Sequence, residues 1–368
     1  MTGPLAGVRV VELASIGPGP HAGMLLSDMG ADVVRVIRPS APGSELDGTF
    51  TLRGRTTVRA DLKDDADRVR VLELLDSADV LIEGMRPGVT ERLGLGPRPV
   101  LERNPRLVYA RMTGWGQAGP LAATAGHDIN YIALTGALHA VGPAAGPVPP
   151  LNFVGDYGGG SMFLVTGILA ALLERAQSGQ GQVLDVAMVD GAAALVQPIL
   201  ELRARGVWSD SRASNVIDGA APFYRAYECS DGKHLAVGAI EPQFYAELLR
   251  ILGLDASALP DQDDRAGWPQ LTATIGAVLA TRTRDEWATT FDGSDACVTP
   301  VLTFAEAPAH PQVAARQAML AGPAGVTSAP APRFSRSSEP WSTDPSGSVA
   351  DLSDAVKRWL REPGSSSS

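Results

Sequence analysis

The feature that most constrains this chain is an alternation, over residues 1–200, of short β-branched runs with helical stretches, several of the changes marked by glycine or proline. Val8-Arg9-Val10-Val11-Glu12-Leu13 is a strand ended by Gly17-Pro18-Gly19-Pro20. His21 to Met29 reads as a helix stopped by Gly30, and Val33 to Ile37 is the next strand. Thr56 to Ala60 makes a short strand, Asp61-Leu62-Lys63 a turn, and Asp64 to Ser77 a helix with apolar Val69, Leu72, Leu74 and Leu75. Asp79–Glu83 and Leu107–Met112 continue the strands. Ser161 to Gln177, Gln182 to Met188 and Asp190 to Arg205 then read as helix, strand and helix. Such alternation is that of an α/β layer fold.

The first strand–helix–strand unit is Rossmann-like. Its loop is not GxGxxG, and its prolines remove backbone donors that a phosphate cradle needs, which argues against a dinucleotide there. Beyond Gly206 the character changes: Phe223–Cys229 and His234–Gly238 read as a hairpin around Asp231-Gly232, followed by a helix over Gln243–Leu252. The expected organisation is a large domain over 1–200, completed by 322–360, and a small α+β domain with its linkers over 201–321. Ala315 to Pro332 looks linker-like, and 361–368 is expected to be a disordered tail.

A net charge of −10, from 31 Lys and Arg against 41 Asp and Glu, argues against nucleic-acid binding, which needs a broad cationic surface. Any anionic ligand must therefore be held by local cations. The two cysteines, Cys229 and Cys297, carry no metal spacing and no disulfide framework. The longest apolar runs, such as Met162–Leu173, read as too short and interrupted to span a bilayer. A soluble, cytoplasmic protein with no membrane partner is the expectation.

The stretch from Ala125 to Gly160 holds the plausible chemistry. It opens with Gly126-His127-Asp128-Ile129-Asn130-Tyr131 and closes with Gly155-Asp156-Tyr157-Gly158-Gly159-Gly160. Each end sets one proton-transfer group, His127 or Asp156, among glycines that let backbone approach a ligand. Asp128 reads as a helix cap, and Asp156 as either a cap or an acid/base group. Arg38 follows a strand end, and Arg86 and Arg92 sit in a loop opening a short helix, where arginine grips phosphate. His21, His139, His234 and His310 read as structural.

These segments resemble the type III CoA-transferase family, and within it the branch that racemises α-methylacyl-CoA. The resemblance rests on Val10-Val11-Glu12-Leu13 with Gly17-Pro18-Gly19-Pro20, Gly30-Ala31-Asp32-Val33-Val34, Ala60-Asp61-Leu62-Lys63, Glu83-Gly84-Met85-Arg86-Pro87-Gly88, Arg111-Met112-Thr113-Gly114-Trp115-Gly116-Gln117 and both ends of the Ala125–Gly160 stretch. It implies a Rossmann-like large domain, a small α+β domain and an interlocked homodimer. It further implies that His127 and Asp156 exchange the α-proton of a 2-methylacyl-CoA, with Glu241 near the histidine from its own chain or its partner's. Arg38, Ala60, Asp61, Leu62, Lys63, Gly84, Met85, Arg86, Arg92, Gly126, Asp128 and Tyr131 match residues that line the CoA. No cofactor beyond the CoA carried by the substrate is implied, and no metal.

Inverting a carbon beside a thioester needs one group to remove a proton from one face and another to return one to the opposite face. Neutral His with protonated Asp holds as many protons as imidazolium with carboxylate, so each direction of reaction starts from one form and ends in the other. The pair must stay near balance, because each pKa unit of mismatch costs about 1.4 kcal/mol. Burial raises the Asp, a helix N-terminus lowers it, and the sequence leaves open which wins. Backbone N–H groups at His127-Asp128 are candidate donors to the enolate oxygen. The rival within the family is acyl-CoA:carboxylate CoA-transfer, with Asp156 as nucleophile and Gly158–Gly160 as a clamping loop.

Overall fold

Val10 and Val11 are neighbours in sequence yet belong to two different cores, because successive residues of a strand face opposite sides of its sheet. The computed structural model describes residues 3–39, 49–322, 325–337 and 348–361. Among these the strands are β1 Arg9–Leu13, β2 Asp32–Ile37, β3 Arg55–Arg59, β4 Val80–Glu83, β5 Val108–Thr113, β6 Val183–Ala187, β7 Tyr224–Glu228, β8 His234–Gly238, β9 Val298–Pro300, β10 Met319–Gly322, β11 Gly325–Ser328 and β12 Ser348–Val349. The helices used below are α1 Pro18–Asp28, α2 Asp65–Asp76, α3 Val89–Arg92, α4 Asp128–Leu134, α5 Met162–Ser178, α6 Met188–Leu195, α7 Pro242–Leu252 and α8 Leu352–Arg361.

The chain forms two units, one of residues 1–135, 151–197 and 310–368, the other of 136–150 and 198–309. The first holds a seven-stranded sheet in the order β12-β3-β2-β1-β4-β5-β6, with every described pairing parallel. One face carries Val11, Leu13, Val34, Leu81 and Tyr109 against Val71, Leu74 and Leu75 of α2 and Leu352, Val356 and Trp359 of α8. The other carries Val10, Val33, Val80, Ile82, Val108 and Ala110 against Ala22 and Leu26 of α1 and Leu164, Val165 and Ile168 of α5. A sheet covered on both faces suits strands that are apolar at nearly every position, as Val80-Leu81-Ile82 is. Beneath α1, buried Glu12 is paired with the guanidinium of Arg55 and lies 3.3 Å from that of Arg35.

In the second unit β7, β8 and β9 form an antiparallel sheet. Leu235 and Val237 pack with Leu248 and Leu249 of α7 and with Trp268, Leu271 and Trp287. The segment 136–150 is tied into this unit by Arg212, whose guanidinium donates to the carbonyls of His139 (2.9 Å) and Pro143 (3.2 Å). These contacts put 136–150 in the second unit although the sequence reading assigned it to the large domain. The chain also re-enters the first unit at His310, ahead of the expected 322.

Other departures have local causes. The first helix begins at Pro18 instead of His21, because proline fits the first turn of a helix, where its missing N–H is no loss. The single helix expected over Asp190–Arg205 is two, Met188–Leu195 and Gln197–Ala204, with Pro198 in the first turn of the second. The linker-like stretch after Ala315 contains the antiparallel pair β10–β11. Arg361, expected in the tail, ends α8, and the rest of the tail, 362–368, lies outside the described residues. The helical run Phe153–Ser178, 26 residues, is long and apolar enough to cross a membrane by length and composition, which the shorter reading of Met162–Leu173 had excluded. Its buried Leu164, Val165, Ile168 and Ala171 identify it here as a helix packed on the sheet.

Candidate active site

Because the sheet is parallel, the segments that leave β1 to β5 gather along one edge. Between β1 and β4 the strand order reverses, and at such a switch point diverging loops open a crevice. Gly84 closes against Ser15 there: a Cβ on Gly84 would stand 2.8 Å from that of Ser15, so the approach admits only glycine.

Asp156 does not sit in a glycine turn before a helix. Phe153–Ser161 is itself helical, with π geometry running directly into α5. Its bonds reach five residues back, from Tyr157 N–H to the Asn152 carbonyl (3.3 Å) and from Met162 N–H to that of Tyr157. The glycines serve this segment by contact. A Cβ on Gly159 would stand 2.7 Å from the Ala192 nitrogen of α6, and one on Gly160 3.0 Å from both Met188 and Pro18. Wide π turns are costly and cluster at functional sites.

The segment is held at its start by Asp128. One carboxylate oxygen of that buried side chain accepts from the backbone N–H groups of Gly155 (2.6 Å) and Asp156 (2.8 Å). These are among the first-turn donors that a helix cannot satisfy internally. Asp128 is thus a cap, as read from the sequence, but its carboxylate caps a helix 27 residues downstream. His127 occupies the N-cap position of α4, and its N–H donates to Asn130 Oδ1 at 3.0 Å. The imidazole side chain is exposed.

The Asp156 carboxyl is half-buried, receives a hydrogen bond from Asn152 Nδ2 (3.1 Å), and lies beside Gly17, where a Cβ would come within 3.3 Å of Oδ2. Burial pushes its pKa above the ordinary carboxylate range, and the charge of Asp128 adds to the rise. The Asn152 hydrogen bond and the positive charge of His127 act the other way without cancelling it. The question left open by the sequence thus resolves upward. Behind the pair, Tyr131 donates to the Gly126 carbonyl and meets Trp115 edge-on with ring centroids 4.7 Å apart. Gly114 and Gly126 leave the space these rings fill.

Of the residues expected at CoA, Arg38, Lys63, Arg86 and Arg92 are exposed cations in the segments leaving β2, β3 and β4. Arg59 grips the Pro39 carbonyl (2.9 Å), which fixes the backbone next to Arg38. Ala60 is buried and Leu62 packs on the core, while Lys63 N–H donates to Asp61 Oδ1 (3.0 Å), so this turn presents mainly Asp61 and Lys63 outward. Met85 packs on the same core, and its N–H donates to Glu83 Oε2 (2.8 Å). Arg92 folds back over Gly88, 3.2 Å from where a Cβ would be. Glu241 is exposed at the N-cap of α7 in the second unit, whereas His127, Asp128 and Asp156 all belong to the first.

Sequence reasoning missed Asn130, Asn152 and Arg111. Arg111 bridges buried Glu83 (2.9 Å) and Glu91 (2.8 Å), bracketing the loop that carries Arg86. Its signals were a charged residue inside a largely apolar strand and its place at the head of the Arg111–Gln117 motif.

A sequence profile described as CoA-transferase family III matches residues 5–347. The α-methylacyl-CoA racemase of Mus musculus is 46% identical over 334 residues, covering 90% of this chain and 87% of the racemase. The racemase of the same name from Homo sapiens is 45% identical over 307 residues, covering 83% of this chain and 80% of its own. Among solved structures, a CAIB/BAIF family protein from Brucella suis aligns with a TM-score of 0.82 at 26% identity, covering 98% of this chain and 99% of that one.

Proposed function

This chain belongs to CoA-transferase family III, and from that premise we propose that it is an α-methylacyl-CoA racemase, interconverting (2R)- and (2S)-2-methylacyl-CoA thioesters by proton transfer between His127 and Asp156. The observation that carries the reading is the setting of Asp156: a half-buried carboxyl beside Gly17 in the segment leaving β1, held by Asn152, with burial favouring its protonated form. An acid that keeps its proton more readily than an exposed carboxyl is the partner a histidine needs for the two protonation forms to stay near balance. In one direction neutral His127 takes the α-proton and protonated Asp156 delivers one to the opposite face. In the other, the carboxylate takes and the imidazolium gives.

The enolate oxygen formed between the two steps requires a donor. The His127 N–H is already engaged by Asn130, so the role falls to the amide of Asp128, the first residue of α4, with about 3 kcal/mol of barrier resting on such a contact. Arg38, Lys63, Arg86 and Arg92 supply cations for the phosphates of CoA. Homology to racemases of 46% and 45% identity supports this reading over CoA-transfer. So does the packing of Gly159 and Gly160 against α6 and α1, which ties two glycines of the Gly158–Gly160 stretch into the helical layer. A cytoplasmic homodimer completes the proposal, and sedimentation in solution tests its assembly.

The test is NMR of a single epimer of a 2-methylacyl-CoA in deuterated buffer without a carboxylate acceptor. Deuterium should enter the α-position with inversion, and His127→Ala and Asp156→Ala should each abolish it. Turnover only when a carboxylate acceptor is added would make Asp156 a nucleophile and the chain a transferase.

A further inference from the structure

We infer that Asp128 is a positioning residue for Asp156: a single buried carboxylate oxygen fixes the backbone that carries the acid/base group and sets a negative charge beside it. The inference rests on the proposed racemase reading for its catalytic meaning, but not for its geometry.

The geometry is specific. Asp128 Oδ2 accepts from two successive amides, Gly155 and Asp156, at 2.6 and 2.8 Å. A Cβ on Gly155 would stand 2.5 Å from that oxygen, so the glycine is what admits the carboxylate. The other oxygen, Oδ1, is buried with no hydrogen-bond partner among the described residues. A purely structural cap needs only an acceptor, which a neutral amide supplies. A buried carboxylate with one oxygen unpartnered is a costly choice for that task alone, since desolvating a charge costs more than desolvating an amide.

The charge has a use beside Asp156. The titratable groups facing Asp156 are Asp128 and His127 at the start of α4, with Tyr131 one turn further on. Gly17, just ahead of α1, lies beside the Asp156 carboxyl, His21 of α1 packs on the neighbouring Tyr157 with ring centroids 4.7 Å apart, and Asn152 offers its neutral amide. Of the two charges, His127 favours the carboxylate form of Asp156 and Asp128 opposes it. Asp128 thus joins burial in opposing the pull of the His127 charge toward the carboxylate, the form from which Asp156 cannot donate. The same residue sets both where the acid sits and how readily it holds its proton.

Asp128→Asn keeps an acceptor for the two amides and removes the charge, whereas Asp128→Glu keeps the charge and displaces the oxygen. The carboxyl of Asp156 is followed by 13C NMR titration, assigned with Asp156→Asn, and α-proton exchange is measured across pH. In the Asn variant the Asp156 midpoint should fall by about half a pH unit or more, and the matching limb of the exchange profile should move with it. In the Glu variant the midpoint should stay within about 0.3 unit of the wild type while exchange slows about tenfold or more. An Asp156 midpoint unchanged in Asp128→Asn overturns the inference and leaves Asp128 a structural cap. So does a Glu variant in which neither midpoint nor rate moves, which also decides the matter if the Asn variant does not fold. The titration needs no substrate. A wild-type protein that exchanges no α-proton ends the racemase reading, and the NMR midpoints still report whether the two carboxylates are coupled.

Discussion

Gly191 of α6 and Gly159 of the π-helical segment meet back to back, so closely that a Cβ on Gly191 would stand 1.9 Å from the Gly159 carbonyl oxygen. The position of Asp156, three residues before Gly159, depends on this approach. Gly191→Ala must push the segment off α6, at a cost of about 1–3 kcal/mol for overpacking. A displacement of about 1 Å at an acid/base group lowers turnover about 100-fold. By contrast, Gly167→Ala lies within α5, where the nearest atom to a new Cβ is Leu184 Cδ1 at 3.4 Å. That substitution should stabilise by about 0.5–1 kcal/mol, because alanine loses less backbone entropy than glycine on folding into a helix, with exchange unaffected. Thermal unfolding and exchange rates for the two variants separate a register effect from a general dislike of added methyl groups.

Asp156 should cost the fold stability at neutral pH. Burial raises its folded-state pKa above that of the unfolded chain, so the native state binds this proton more tightly. Stability from this group is full below the unfolded pKa and is lost as pH rises through the folded value. Asp156→Asn removes the titration. Its midpoint temperature should match the wild type below the ordinary carboxylate range, exceed it increasingly as pH rises through the folded value of Asp156, and keep that advantage above it, a pattern of a site held at the expense of stability. A constant difference across that range, measured by circular dichroism, would place the cause elsewhere.

The sheet was legible because its signal is local: Val10 and Val11 supply opposite faces by adjacency alone, and glycine and proline mark the ends of the strands. His127 and Asp156 were singled out by their glycine surroundings and by resemblance, and neither spacing nor composition pairs residues so far apart. The π-helical segment was not. Three successive glycines read as a turn by propensity, and the contact with Gly191 that makes them necessary is invisible along the chain. Asp128 illustrates the same limit. An Asp at a helix start reads as a cap, and only the fold shows that its carboxylate caps a different helix. The break near Pro198 did have a signal, the proline itself, which the apolar periodicity on either side outweighed.

Arg111 should hold the loop between Glu83 and Glu91 in place. Its guanidinium spans Glu83 Oε1 at 2.9 Å and Glu91 Oε1 at 2.8 Å, with Glu83 fully buried. Burial raises the Glu83 pKa despite that partner, so removing Arg111 leaves a carboxyl that must protonate or stay uncompensated. Arg111→Ala should destabilise by about 3–5 kcal/mol. Arg111→Met with Glu83→Gln should recover much of that loss, since the buried charge goes with its partner. If the loop carrying Arg86 and Arg92 binds CoA, the double variant should show a raised KM for the thioester with a smaller change in kcat. An unchanged KM in the folded double variant would separate this network from ligand binding.

Trp359 anchors the C-terminal helix. Its ring is 2% exposed in the core formed with α2, and its Nε1 donates to Asp32 Oδ2 at 2.6 Å. Trp359→Ala should cost about 3–5 kcal/mol, as large aromatic truncations in a packed core do. Trp359→Phe keeps most of the ring and loses the donor. Because Arg358 still donates to Asp32 Oδ1 at 2.8 Å, the carboxylate is not left unpaired, and the loss should stay near the lower end of about 1.5–3 kcal/mol for a bond to a charged group. Asp32→Asn beside Trp359→Phe closes a double-mutant cycle. Their coupling should be no larger than the Phe effect, since Arg358 provides the remaining contact. Denaturant unfolding of the four proteins reads it directly. A Phe variant as unstable as the Ala variant would mean that the hydrogen bond to the end of β2, and not the apolar ring, docks this helix on the sheet.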